Sequence, residues 1–571
     1  MQTDTHNHHK NWVWEVVCIS FFLLLALAYA SGRIGLHFYD HLLSSSDAAN
    51  IASFSAALDH PQLFSNDALL NNPGNFAFYN TLHIPLIRLL AKWFGNYSTP
   101  FAFLIFPVAF LHLLGFYWLG REVLKDRWLS FMFSLAVLIP VRLNLAEIWG
   151  LWQDVIPRFL FQSLLPFLLA AALHWGGKPK SWSWLMAVLG LLVYIHPVSL
   201  PAWGLALFFS FWFLAPAMPL KQKLLRLLLA GILFLLVIMP FTFNYLSTTT
   251  FGTRGSMPYA ELMEIIRKRF IPGFLDLTFA FKEFIKIVVI SDLLMASLWG
   301  ITLIGGIFLF FTQKRIKDPI LLSLISWWAA VFIVSVVLPV MDHALAYRMQ
   351  RLPYQFDLVR NLRFSIPLLL LSFFYLLVQF RSFLSSRSSE KKRVISFSSA
   401  ALGLMLLMGW MARNDFFHNS AFLQTARCWT AGTLVCPFTD EKKINDQVGL
   451  LKAVKELTPP GSRILAAADT SELMIRYYSL RPLVYSYKDG GAFIYASLDG
   501  LRVWWQQYRA MSRILALDTR KALMDGLDGF AREYDAAFLV LEEKYAPQQY
   551  YPDGLTNIYS NEGFSLFQLT G

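Results

Sequence analysis

Residues 12–31 read WVWEVVCISFFLLLALAYAS, an apolar run that only one charged residue, Glu15, interrupts. A helix needs about 20 such residues to cross the hydrocarbon layer of a bilayer. Comparable runs recur along the chain, centred in 99–120, 128–141, 159–175, 182–196, 201–216, 227–242, 293–312, 319–340, 364–380 and 394–412. The pattern predicts a polytopic α-helical membrane protein with 11 transmembrane helices.

The composition agrees with this prediction. Of 571 residues, 56% are hydrophobic and 15% are charged, whereas an ordinary soluble protein has about a quarter of its residues charged. These values exclude a disordered or fibrous protein and argue against a single soluble globule.

The basic residues predict the orientation. The short loops 121–127, 176–181, 217–226, 313–318 and 381–393 total 42 residues and hold 16 Lys and Arg. The alternate, far longer loops 32–98, 142–158, 243–292 and 341–363 hold 15. Cytoplasmic loops are the ones enriched in Lys and Arg. We therefore expect a multi-pass protein of the plasma (bacterial inner) membrane, with a cytoplasmic leader over 1–11 and a transmembrane domain over 12–413.

The end of the first helix allows a second interpretation. Leu27-Ala28-Tyr29-Ala30-Ser31 has the small-x-small pattern of a signal-peptidase site. Lys10 is the only Lys or Arg that precedes it, and Glu15 interrupts the apolar run. These two features favour a retained helix over a cleaved signal peptide.

From residue 414 the pattern becomes that of a soluble α/β domain, which the orientation places outside the cytoplasm. Strands are predicted at 463–468, 536–541 and 564–569, between helical stretches, and indicate a small, partly parallel sheet. Cys428 and Cys436 in this domain form either a disulfide or two unrelated thiols.

The net positive charge belongs to the membrane part. Residues 1–413 carry 33 Lys and Arg against 19 Asp and Glu, and residues 414–571 carry 16 against 18. This distribution does not indicate nucleic-acid binding.

Acidic and imidazole groups in the outer loops are candidates for chemistry. Asp40 and Asp47 follow the first helix, Glu147 and Asp154 lie in the next outer loop, and His196 ends the fifth helix. Such groups can bind a divalent cation or accept a proton from a hydroxyl. The structural alternatives are a helix cap for Asp47, solvated loop charges for Glu147 and Asp154, and packing at a helix end for His196.

The outer loop 341–363 contains four Arg and no Lys: Arg348, Arg351, Arg360 and Arg363. Arg360 and Arg363 are three residues apart and so share one helical face. Guanidinium groups bind phosphate oxygens in a bidentate fork. Candidate ligands of a lipid phosphate are therefore Arg360, Arg363 and Arg348, together with His196 on the same side of the membrane. The alternative is that these arginines reach lipid headgroups.

Together these features resemble the type C (GT-C) glycosyltransferases, which include oligosaccharyltransferases, protein mannosyltransferases and lipid A aminoarabinose transferases. The resemblance lies in Asp47-Ala-Ala-Asn-Ile-Ala-Ser after the first helix, in Glu147 and Asp154, in the late arginines and in the C-terminal extracytoplasmic domain. The C-terminal part, with Tyr487-Lys488-Asp489-Gly490-Gly491, is similar to uncharacterised bacterial multi-spanning membrane proteins, a likeness that implies no activity.

The GT-C resemblance implies an enzyme that moves a sugar from a polyprenyl-phosphate carrier to a glycan, lipid or protein acceptor on the outer face of the membrane. Asp47 is the implied catalytic base, with Asp40 in reserve, and Arg360 and Arg363 neutralise the leaving phosphate. The acid-x-acid pair common in the second outer loop is absent here, so a divalent metal, Mg²⁺ or Mn²⁺, on Glu147 or Asp154 stays open.

Two other functions compete with the transferase. A transporter or flippase of a lipid-linked or anionic substrate is one, although such proteins commonly carry internal repeats and broken helices. A non-catalytic membrane assembly protein is the other, since a scaffold can lose its catalytic base and keep its fold.

Overall fold

The computed structural model describes most of the chain. The residues described are 3–40, 42–43, 46–79, 81–142, 148–150, 154–215, 218–248, 257–269, 282, 285, 300, 302, 305, 318–353, 356–385, 421–432, 441–467, 472–542, 550 and 552–570.

Helices dominate the described residues. In chain order they are α1 (Thr3–Asp40), α2 (Ser46–Asp59), α3 (His83–Phe94), α4 (Thr99–Leu124), α5 (Arg127–Leu138), α6 (Pro157–Trp175), α7 (Ser181–Leu191), α8 (Leu200–Leu214), α9 (Leu220–Thr248), α10 (Tyr259–Arg269), α11 (Pro319–Phe332), α12 (Leu338–Met349), α13 (Ser365–Ser385), α14 (Ala421–Thr430), α15 (Glu441–Leu457), α16 (Glu472–Met474), α17 (Asp489–Ala496), α18 (Leu498–Ile514) and α19 (Arg520–Glu533). Short 3-10 helices cover Pro61–Phe64, Pro73–Tyr79, Leu192–Tyr194, Pro197–Ser199 and Phe356–Phe364, and π-helical turns cover Ile333–Val337 and Ile475–Ser479.

The chain is an integral membrane protein. Among the described residues, seven helical segments are long and apolar enough to cross a bilayer: Trp12–Ser31, Thr99–Leu124, Pro157–Trp175, Pro197–Leu214, Leu220–Ser247, Pro319–Met349 and Asp357–Ser382. Two shorter apolar helices, Arg127–Leu138 and Ser181–Tyr194, match two more of the predicted spans. The predicted spans at 293–312 and 394–412 fall almost wholly outside the described residues, so the number of 11 stays a prediction.

The helices differ in how deeply they are buried. In Asp357–Ser382, 83% of the most apolar window is buried inside the protein, against 11% in Leu220–Ser247. The first segment therefore lies at the centre of the bundle and the second at its periphery. The central position matters because Arg360 and Arg363, two of the three arginines predicted to bind phosphate, lie at the start of that segment.

Two helices differ in their bounds from the sequence-based prediction. The first helix begins at Thr3, so most of the predicted leader is helical. The sequence also predicts an amphipathic helix over 77–94 in the first long outer loop, which in the structure is divided into the 3-10 helix Pro73–Tyr79 and α3. Pro85 lies in the first turn of α3, the one part of a helix that tolerates proline, because its missing N–H has no helical partner there.

The C-terminal part contains a four-stranded sheet in the order β3-β4-β6-β5. Its strands are β3 (Ile464–Ala467), β4 (Phe538–Glu542), β5 (Leu555–Ser560) and β6 (Phe564–Leu569), after a short ribbon of β1 (Val141–Arg142) and β2 (Ile148–Trp149) in the loop between α5 and α6. β3 and β4 pair in parallel and the other pairs are antiparallel. All three predicted strands are present, and the partly parallel sheet is as expected.

The C-terminal part packs on the first long loop through a buried ion triad. Arg476 donates from Nε and Nη2 to Asp67 at 2.9 and 2.7 Å, and from Nη1 and Nη2 to Asp489 at 2.7 and 2.8 Å. All three side chains are at most 1% exposed. Because a buried charge is costly unless it is paired and hydrogen-bonded, this triad ties residues more than 400 positions apart into one arrangement.

Candidate active site

A cavity of about 540 Å³ opens at one end of the helix bundle. The segments that line it come from the start of α2, the end of the 3-10 helix before α3, the start of α6, the link between α7 and α8, the end of α10, the 3-10 helix before α13, and the start of α17 with the turn before it. Its charged residues are Asp47, Arg158, Arg269, Asp357, Arg360, Arg363 and Lys488.

Asp47 lies in the first turn of α2, and cations surround it. Lys488 Nζ donates to Asp47 Oδ1 at 3.1 Å, and Arg158 Nη2 is 3.7 Å from Asp47 Oδ2. The Asp47 side chain is 45% exposed, which leaves it accessible from the cavity. Lys488 first, then Arg158 and Arg360, hold the pKa of Asp47 well below its usual value, against the opposing effect of burial. Asp47 is therefore an ionised carboxylate at any physiological pH.

Arg363 is buried at 1% exposure in the cavity wall, and a hydrogen bond fixes it. Its Nη2 donates to Ser199 Oγ, and its guanidinium lies 5.2 Å from the centre of the Phe364 ring. Ser199 Oγ is also 2.8 Å from His196 Nδ1. The Ser199 hydroxyl therefore contacts both Arg363 and His196, and it donates to the imidazole Nδ1 or accepts from it according to the tautomer of His196.

His196 remains neutral in this position. Burial is the main reason that the pKa of His196 falls well below its usual value, and the neighbouring Arg363, Arg158 and Arg360 lower it further. The imidazole thus adds a hydrogen-bonding group to the cavity without adding charge.

The remaining cations are held by contacts within the same wall. Arg360 Nε forms an ion pair with Asp357 Oδ1 at 3.2 Å, and Tyr495 Oη donates to Asp357 Oδ2. Arg269 Nη2 donates to the main-chain oxygen of Lys488 at 3.2 Å, and its guanidinium lies 4.9 Å from the centre of the Tyr487 ring. These contacts preorganise the cationic groups before any ligand binds.

The charges of the lining residues leave an excess of positive charge. Arg158, Arg269, Arg360, Arg363 and Lys488 are five cations, against two carboxylates, Asp47 and Asp357, which gives a net +3 with His196 neutral. A concave site with such an excess attracts anions, and arginine is the side chain best shaped for phosphate. The cavity is a candidate phosphate site that contains two cation-bound carboxylates, Asp47 and Asp357.

The structure brings together four of the residues singled out from the sequence: Asp47, His196, Arg360 and Arg363. Arg348 is exposed near the end of α12, outside the cavity lining, and Arg351 is buried and forms an ion pair with Asp342 at 2.9 Å. These two arginines do not meet the others.

The remaining candidates are elsewhere or outside the described part. Asp154 is fully buried and does not line the cavity. Glu147 and the side chain of Asp40 fall outside the described residues.

A divalent metal does not fit the described residues of this cavity. Within the described part of the chain, no group of three or more His, Cys, Asp or Glu side chains is arranged to hold a metal ion. Cations at 3.1 and 3.7 Å from the carboxylate oxygens of Asp47 would repel a second positive charge. The metal predicted at Glu147 and Asp154 stays a prediction, because Glu147 lies outside the described residues.

Three cations of the cavity were missed by the sequence reasoning: Arg158, Arg269 and Lys488. Arg158 and Arg269 lie in the predicted outer loops 142–158 and 243–292, where a basic residue stands out against the cytoplasmic bias and offers a signal. Lys488 belongs to the Tyr487-Lys488-Asp489-Gly490-Gly491 stretch, whose role could not be inferred without knowing that it meets Asp47.

Cys428, on α14, is disulfide-bonded, whereas Cys18 is a free buried thiol. Cys436 lies outside the described residues. The disulfide removes one of the two alternatives left open for Cys428.

Comparisons with known proteins concern the fold. No protein-family model matches the chain, and no curated protein matches it. Among solved structures, the chain is similar to the crystal structure of ArnT from Cupriavidus metallidurans in the apo state, with 13% identity, a TM-score of 0.46 and coverage of 98% of each chain.

Proposed function

We propose that this protein is a GT-C-type membrane glycosyltransferase that moves a sugar from a polyprenyl-phosphate carrier to an acceptor on the outer face of the membrane. The observation that carries the proposal is the cavity at the end of the helix bundle, which holds five cations and two carboxylates, one of them the accessible Asp47. The positive charge suits a lipid phosphate, and the carboxylate suits the activation of an acceptor hydroxyl.

The cations stabilise the departing phosphate. As the bond between the sugar and the phosphate oxygen breaks, negative charge builds on the phosphate and the sugar acquires oxocarbenium character. Arg363 and Arg360 bind the phosphate oxygens, and the neutral His196 adds a hydrogen-bonding group. Preorganised donors of this kind stabilise the transition state because they need no rearrangement as the charge develops.

Asp47 accepts the proton of the acceptor hydroxyl. Lys488 and Arg158 depress the pKa of Asp47 and so make it a weak base. A bound phosphate competes for the same cations and so raises the pKa of Asp47. The base is thereby activated only when the donor is present, which limits unproductive hydrolysis.

The loops support the outer-face location. Apart from the segment of Lys488 and the short link between α7 and α8, the lining segments belong to the set of loops that is sparse in Lys and Arg. A cysteine introduced at the exposed position Asp518 tests this location. It should react with a membrane-impermeant reagent in spheroplasts, and a label seen only after lysis would reverse the orientation.

The function is tested with the purified protein in lipid nanodiscs, supplied with a polyprenyl-phosphate-linked sugar pool and an extracted acceptor pool. The expected result is release of polyprenyl phosphate and appearance of glycosylated acceptor. Asp47→Asn should abolish both, whereas Asp518→Asn, an exposed matched control, should not change them. Transbilayer movement of the donor with no sugar released would favour a flippase instead.

A further inference from the structure

A second cavity lies far from the one around Asp47. It has a volume of about 710 Å³ and is formed by the end of α2, the turn between α3 and α4, and residues of the C-terminal part on α15 and the π-helical turn after α16. Asp59 lines it, and Asp59 and Asp47 are both on α2, 12 residues apart. At 1.5 Å per residue that separation is about 18 Å. The two cavities are therefore separate sites.

The second cavity carries two lysines whose charge is not neutralised. Its single carboxylate, that of Asp59, is bound by Arg88 Nη2 at 2.6 Å and accepts from Tyr97 Oη at 3.1 Å. Lys92 and Lys455 line the same cavity and are exposed. Among the described residues, neither lysine amino group has an ion-pair or hydrogen-bond partner. The positive charge of these two lysines favours binding of an anion.

The position of the cavity relative to the bilayer indicates that the anion is a lipid headgroup. Lys92 lies in the last turn of α3, and the membrane-crossing helix α4 begins at Thr99. This is the level at which a bilayer presents its headgroups. Trp93 beside Lys92 is 76% exposed, as expected of an indole at a membrane interface.

An exposed apolar face continues from the cavity toward the lipid. Leu82, Leu89 and Trp93 are 57%, 54% and 76% exposed, and their spacings of seven and four residues place them on one face of α3. The ring centres of Phe94, at the end of α3, and Phe103, on α4, are 5.5 Å apart. Phe103 is itself 51% exposed. The apolar face of α3 thus joins the lipid-facing side of α4, and both would be covered by acyl chains.

We propose that the second cavity binds the phosphate headgroup of an anionic membrane lipid between Lys92 and Lys455, with the acyl chains along the exposed faces of α3 and α4. Lys92 belongs to the first long loop and Lys455 to the C-terminal part. A bound lipid therefore links these two regions. The proposal does not depend on the transferase function.

Binding of single lipids to the full-length protein, measured by native mass spectrometry, tests the proposal. Dioleoyl phosphatidylglycerol should bind saturably with one high-affinity molecule, and dioleoyl phosphatidylcholine should not. Lys92→Gln and Lys455→Gln should each weaken the binding by about five-fold, since a basic residue near an anionic lipid surface contributes on that scale. Lys452→Gln, an exposed lysine of the same helix α15 outside the cavity, is the matched control and should have no effect.

Three outcomes would overturn the proposal. Equal binding of the two lipids would remove the role of the charge, and unchanged binding in the Lys92→Gln/Lys455→Gln double variant would place the lipid elsewhere. Binding of glycerol 3-phosphate as tight as that of the lipid would indicate a site for a soluble anion. Because the assay measures binding and not sugar transfer, its failure is distinct from failure of the proposed function.

Discussion

Replacing Arg363 with alanine removes the most deeply buried cation of the cavity that contains Asp47. Its guanidinium is 1% exposed and is oriented by its hydrogen bond to Ser199. A hydrogen bond to a charged group contributes about 1.5–3 kcal/mol, and 1.4 kcal/mol corresponds to a factor of ten in Kd. Arg363→Ala should therefore weaken binding of a polyprenyl phosphate by about 10- to 100-fold.

The assay is equilibrium binding of a short-chain polyprenyl phosphate to the protein in nanodiscs. Arg363→Lys should lie between the wild type and Arg363→Ala, because lysine keeps the charge but lacks the planar fork. Arg348→Ala is the control, since Arg348 lies in the same region but is exposed outside the cavity. Equal losses in Arg363→Ala and Arg348→Ala, with unchanged thermal stability, would refute the reasoning.

Three further predictions concern pH and stability. Lys488→Gln removes the largest influence that lowers the pKa of Asp47, so the acid limb of the pH profile of the transfer rate should shift to higher pH. An unshifted profile would show that Asp47 does not accept the proton. Burial raises the pKa of Glu472 to about 8. The contribution of Glu472 to the stability of the folded protein is therefore complete below about pH 4.5 and is lost as the pH rises toward 8. The slope of melting temperature against pH should flatten in Glu472→Gln. Arg476→Met leaves two buried carboxylates without their cation and should lower the free energy of unfolding by about 3–5 kcal/mol. The control Arg513→Met, at an exposed position, should lower it little. Similar losses in the two variants would show that the triad is not stabilising.

The membrane helices could be predicted because hydrophobicity along a continuous run is a local property. Among the described residues, nine apolar helices match predicted spans. The buried strand β4 was predicted for the same reason, since Phe538–Leu541 is apolar throughout. β5 was missed because it is an edge strand in which most side chains are partly or fully exposed, so it carries no continuous apolar signal.

The candidate site could be predicted only in part. Asp47, His196, Arg360 and Arg363 were singled out because each is an ionisable group in an outer loop, and topology alone places such groups on one side of the membrane. Lys488 could not be predicted, since it is 441 residues from Asp47 in sequence and reaches it only through the packing of the C-terminal part. Arg348 illustrates the converse, because a shared loop does not ensure a shared cavity.

A structure of the protein with a bound polyprenyl phosphate tests the central claim most directly. The phosphate is expected in the cavity beside Asp47, with its oxygens within hydrogen-bond distance of the Arg363 guanidinium. Lys488 should then contact the phosphate instead of the Asp47 carboxylate. A phosphate bound outside this cavity, with the pair of Lys488 and Asp47 undisturbed, would contradict the account.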